Sequence, residues 1–130
     1  MSDMNKYGEA AIKAVKVLES NKISPLVAWE IAVTEIFSNN ASSCAKACPR
    51  NAFLALCETG IVNNIPPGLY TKSKMNKSYV LEGLTLLRED SQLADDINKL
   101  WKMVIGNQKK VHNHQMNVLV SLWKNGLIKY

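Results

Sequence analysis

Residues Cys44–Val62 read CAKACPRNAFLALCETGIV, and two of them act as punctuation. Pro49 has no backbone N–H, so it belongs in the first turn of a helix, where that donor would be unpaired anyway. Gly60 can adopt the left-handed conformation that ends a helix. Between them Phe53, Leu54, Leu56 and Cys57 supply an apolar side. The stretch reads as a capped core helix near 49–59 before it reads as a metal or redox cluster.

The same grammar returns near the C-terminus. LALCETGIV (54–62) and VSLWKNGLI (120–128) each hold a helix end, a glycine and two apolar residues. In a Schellman ending the residue after the glycine packs back one turn, which pairs Leu56 with Ile61 and Leu122 with Leu127. Helix-termination physics accounts for the echo without any duplication.

Helical spacing continues on both sides. Met4, Tyr7, Ala11, Ala14, Val15 and Leu18 mark a first helix over about 3–20. Ser24 and Pro25 open a second, with Leu26, Trp29, Val33, Ile36 and Phe37 as its buried stripe. Residues 75–88 form another through Val80, Leu84 and Leu87. Ser91 is expected to cap the next, whose stripe is Leu93, Ile97, Leu100, Trp101 and Val104 and whose stop is Gly106. Met116, Leu119, Val120 and Trp123 mark a last helix ending at Gly126. The exception is 61–74, where Pro67-Gly68 fits a type II turn. There, 61–65 and 69–72 either pair as a short hairpin or form a structured loop. The expected fold is mainly α: one domain over 1–130, a compact bundle of five or six helices around Trp29, Phe53, Leu56, Leu100, Trp101 and Trp123, with a loop or β-hairpin near 61–72.

Composition narrows the function classes. The chain has 130 residues and 47% apolar content, and its N-terminus puts acids, lysines and a glycine where a signal peptide needs an apolar run. No apolar run approaches a membrane span, and three cysteines without an export signal read as reduced thiols. A cytoplasmic location and no membrane partner are expected. The net charge of +5 is uneven: Ile97–Tyr130 holds six lysines and no acid, while the first 96 residues carry ten basic against eleven acidic residues. Fourteen of the sixteen basic residues are lysine, so only Arg50 and Arg88 offer the planar fork that reads guanine or clamps phosphate.

The catalytic inventory is thin. Cys44, Cys48 and Cys57 do not have the paired spacing of a structural zinc site, and no metal or other cofactor is expected. Cys48 is the candidate reactive thiol: if Pro49 opens the helix, Cys48 sits at its N-cap beside Lys46 and Arg50. His112 and His114, two apart, point to different sides of any helix and are expected to cap or decorate a helix start. Glu30 and Glu35 do not converge, and neither a phosphate-cradling glycine loop nor a nucleophile elbow is present. No catalytic residue is assigned.

The stretch PRNAFLALCETGIVNNIPPGLYTK (49–72) resembles winged-helix regulators, in which a reading helix ends at a glycine turn and feeds a wing. That resemblance implies DNA contacts at Arg50 and Asn51 on the helix and at Lys72, Lys74 and Lys77 beside the wing. Two features depart from it. The segment from Phe37 to Pro49 is too long for a tight turn unless a short helix fills 41–46, and the reading helix carries Glu58. Over most of its length the chain also resembles a family of small uncharacterised bacterial proteins, through ASSCAKACPRNAFLALCETGIV (41–62), GLYTKSKMNKSYV (68–80) and HNHQMNVLVSLWKNGLI (112–128). This implies a compact domain and transfers no activity. The leading expectation is a non-enzymatic interaction module that binds a protein partner or self-associates. The alternatives are DNA binding and a thiol enzyme or redox sensor at Cys48.

Overall fold

The computed structural model describes residues 5–38 and 40–129. Its helices are α1 (Lys6–Ser20), α2 (Pro25–Phe37), α3 (Ala41–Cys44), α4 (Ala47–Glu58), α5 (Lys74–Glu89), α6 (Ile97–Ile105) and α7 (Gln115–Lys124), with a 3-10 turn at Ser91–Asp95. Apart from the single turn of α3, six helices are described, as the apolar spacing predicts.

Local chemistry sets each boundary. The Asn5 side chain accepts from the Tyr7 and Gly8 amides, so α1 starts at Lys6; the expected extension toward residue 3, with Met4, lies outside the described residues. Ser24 caps α2 with Pro25 at its first position. The α2 stripe differs from expectation: Ala28, Trp29, Ala32 and Val33 are buried, while Leu26 faces out. Small alanines let α2 lie close to α1, whose buried side is Ala10, Ala11, Ala14 and Val15.

Helix α4 begins at Ala47 with Lys46 as its cap residue, so Cys48 lies inside the first turn and not at the N-cap. Proline is tolerated anywhere in that turn, because none of its amides has an intrahelical acceptor. The helix expected from Ser91 is in fact two pieces. Asp90 accepts from Gln92 to cap the 3-10 turn, and Asp96 accepts from Lys99 to cap α6. Asp96, which the apolar spacing places inside one helix, is the cap that divides it.

The two glycine endings meet. Gly60 (φ 78°) and Gly126 (φ 70°) both take the left-handed turn. Beyond them Val62 and Ile128 form an antiparallel bridge, with the Asn63 amide on the Leu127 carbonyl (2.9 Å) and the Lys129 amide on the Ile61 carbonyl (2.7 Å). The partner of 61–65 is therefore 127–129, and the hairpin with 69–72 does not form; 61–72 is a loop. Nor is Pro67-Gly68 a type II turn, since Gly68 lacks a positive φ; the tight turn is Val62–Ile65, with Asn64 at φ 65°.

Helix α7 runs through the centre against α1, α4, α5 and α6. It meets α5 closely at Gly83, where a Cβ would lie 2.8 Å from Leu119 Cδ2. Trp29 stacks on Phe53 (5.3 Å between rings), and Tyr79 packs edge-on to Trp101 (5.1 Å). Phe53, Leu56 and Leu100 are fully buried as expected, whereas Trp123 is half-buried at the margin.

Candidate functional site

The buried face of α4 ends in a carboxylate. Glu58 is only 7% exposed, at the end of an otherwise apolar run. A charge removed from water needs compensating partners, and Glu58 draws them from the following loop. Its Oε1 accepts the Tyr70 and Thr71 amides, both at 2.8 Å, and its Oε2 pairs with Lys77 Nζ at 3.0 Å. Its backbone carbonyl accepts from the Gly68 amide. Burial opposes ionisation of Glu58, but the Thr71 amide, Lys77 and the Tyr70 amide outweigh it and hold the carboxyl below its ordinary range.

Further bonds stiffen the same loop. The Thr71 hydroxyl donates to Asn51 Oδ1 (3.0 Å), and the Tyr70 hydroxyl donates back to the Pro66 carbonyl (2.7 Å). With Pro66 and Pro67 fixing two φ angles, residues 66–73 have a defined path. At its crest Leu69 is 96% exposed. In the sequence Glu58 stands out only as an acid on the would-be reading helix.

The predicted nucleic-acid residues divide accordingly. Asn51 and Lys77 are engaged in holding the loop, Arg50 is half-buried on α4, and Lys72 and Lys74 are exposed beside the crest. A second apolar surface lies on α2, where Leu26, Val27 and Ile31 are between 39% and 44% exposed. Val27 and Ile31 line a shallow groove of about 410 Å³ with Glu30, Thr34 and Glu35.

Cys48 is half-buried and lines a cleft of about 250 Å³ with Met75, Asn76, Tyr79, Val111 and Gln115. Neither histidine lines it. Cys57 is buried, and burial pushes its thiol well above the ordinary range; Cys44 is half-buried and donates to the Val33 carbonyl.

The histidines precede α7 and do not sit on a helix, and their rings lie 6.4 Å apart. His112 Nε2 accepts the Met116 amide (3.0 Å), capping α7 with its ring against Trp101. Burial, with His114 nearby, lowers the His112 pKa to about 4. His114, at φ 69°, takes a bond from Asn5 Nδ2 and packs on Tyr7; burial and then Lys46 lower its pKa. Both rings are neutral acceptors at neutral pH. His112 also borders a polar cleft of about 530 Å³ with Asn5, Asp95, Asn117, Ser121 and Lys124. Among the described residues no three His, Cys, Asp or Glu side chains converge as a metal site requires, and no helix is long and apolar enough to cross a membrane.

Residues 4–129 match the Family of unknown function (DUF6979). The chain belongs to this family. No curated protein and no solved structure matches it. This DUF6979 chain presents two apolar surfaces, the crest at Leu69 and the outer face of α2.

Proposed function

We propose that the chain is one cytoplasmic domain that acts as a non-enzymatic docking module, binding another protein through the 66–69 crest and the outer face of α2. The observation that carries this reading is Leu69. A leucine almost wholly in water, on a backbone tied at three amides to one buried glutamate, is a preorganised apolar anchor. Ordering a loop on binding consumes affinity, and here the order exists beforehand. Exposed apolar residues grouped on a stable surface mark interaction sites more often than scattered single ones do.

A photo-crosslinking residue at position 69 and another at position 31 are expected to give one saturable adduct of the same mass, with none from exposed Glu82 on α5. Identical labelling from all three positions would remove the reading.

Nucleic-acid binding remains the second reading because Lys72 and Lys74 are exposed beside the crest. Anisotropy titration with mixed DNA fragments at two salt concentrations separates the two. Salt-steep binding, weakened by replacing Lys72 and Lys74, favours DNA. No binding at low salt leaves the protein partner.

A further inference from the structure

The crest and the α2 groove differ in kind. The crest is an apolar knob with cations beside it: Leu69 is followed by Lys72 and Lys74, both exposed and without an ion-pair partner among the described residues. The groove is an apolar floor with anions around it: Val27 and Ile31 lie beside Glu30 and Glu35. Glu35 shares its charge with Lys13 at 3.4 Å, with both groups well exposed, and Glu30 has no ion-pair partner among the described residues. Each surface lacks what the other carries.

We infer that the docking partner is a second copy of this chain, with Leu69 of one copy seated between Val27 and Ile31 of the other and Lys72 and Lys74 facing Glu30 and Glu35. The inference rests on the docking reading above and names its occupant. Apolar contact supplies the attraction, and the opposed rim charges set the register and the approach rate. Contact between two different patches has a signature that contact of one patch with itself lacks: damage to the knob and damage to the groove complement each other.

Sedimentation velocity over a concentration series tests it with wild type, Leu69→Asp, Ile31→Asp and an equimolar mixture of the two variants. Both residues are surface-exposed, so circular dichroism should report an unchanged fold. Wild type is expected to associate, less so as salt rises. Each variant should weaken association roughly ten-fold or more. The mixture should regain it, because one member has an intact knob and the other an intact groove. Three results overturn the proposal: wild type monomeric up to about 1 mM, variants that associate as wild type does, or a mixture no better than its components. A monomeric wild type that still gives the common adduct from positions 69 and 31 removes the second copy and leaves the docking reading standing.

Discussion

The ends of α4 and α7 share a sequence grammar and differ in one position that matters. Aligned on their glycines, Glu58 stands where Lys124 stands, and Thr59 where Asn125 stands. At α7 the ending is a full Schellman motif: Gly126 donates to the Trp123 carbonyl (3.3 Å) and Leu127 to that of Leu122 (3.0 Å). At α4 Gly60 donates to Cys57 (3.2 Å), but Ile61 reaches the Thr59 hydroxyl, which itself donates to the Leu56 carbonyl. Backbone geometry follows the glycine in both. What differs is the charge one residue before the cap. Lys124 reaches into solvent toward Asp95, while Glu58 turns inward and fixes a loop.

The largest expected effect tests that contrast. Glu58→Ala leaves the Tyr70 and Thr71 amides without their acceptor and Lys77 without its partner. A loss on the order of 3 kcal/mol is expected in denaturant unfolding. Amide exchange in 66–73 should rise faster than in α7. Glu58→Gln keeps one acceptor oxygen and should lose less than half as much. Equal exchange in both regions would mean that the loop holds its path without the carboxylate.

The pair of glycines gives the next effect. Gly60→Ala and Gly126→Ala each force a side chain into the left-handed region, at a cost of about 1 kcal/mol or somewhat more. Gly126 faces open space, whereas a Cβ at Gly60 lies 3.3 Å from Pro67. The Gly60 variant should therefore be the less stable of the two, and only it should perturb the crest.

How far the sequence reveals this follows from the range of each interaction. Most helix stripes, the Ser24 cap and the glycine stops at Gly60 and Gly126 are local, and the structure agrees with them apart from the α2 stripe. Most failures lie where a distant partner wins. The bridge of Val62 to Ile128 beats a nearby hairpin, since the two glycine endings deliver both segments side by side. One failure is local: Asp96 caps α6 and splits a helix that apolar spacing alone joins. Glu58 could be seen as misplaced, but its two amide donors lie twelve and thirteen residues away, across two prolines, at a distance no period encodes.

Acid separates the start of α7 from the end of α4. A histidine held near 4 in the fold, against 6.5 when free, binds fewer protons folded than unfolded. Its stabilisation is complete above about pH 6.5 and fades as pH falls toward 4. His112 is half-buried, so solvent screening reduces the expected loss to roughly 1 kcal/mol across that window. Glu58, lowered from 4.5, contributes above the ordinary carboxyl range and weakens only as pH falls through its own lower value. Stability against pH should show two steps, with His112→Gln reducing the upper one, to which His114 also contributes, and Glu58→Gln reducing the lower. A single acid step in wild type would contradict the assignment.

Thiol labelling reads the same contrast as local opening of the fold. Cys57, buried beside Glu58, should react only when the end of α4 opens, and half-buried Cys48 should react faster in the native state. Glu58→Ala should speed labelling of Cys57 and leave that of Cys48 nearly unchanged.

The smallest effect belongs to the partner of Glu58 in the alignment. Lys124 Nζ lies 2.8 Å from Asp95 Oδ1, a shorter contact than that of Glu58 with Lys77, yet both of its groups are exposed. Water screens such a pair, and fixing two mobile side chains offsets much of the attraction, so exposed pairs contribute about 0–1 kcal/mol. Lys124→Ala should move the unfolding midpoint by no more than about 0.5 kcal/mol in equivalent stability. That Lys124 loss should shrink further in high salt, while the Glu58→Ala loss should persist, because burial shields its bonds from counterions. If the two substitutions proved equal, distance would outweigh burial in this fold, and the difference between the two helix ends would have no energetic content.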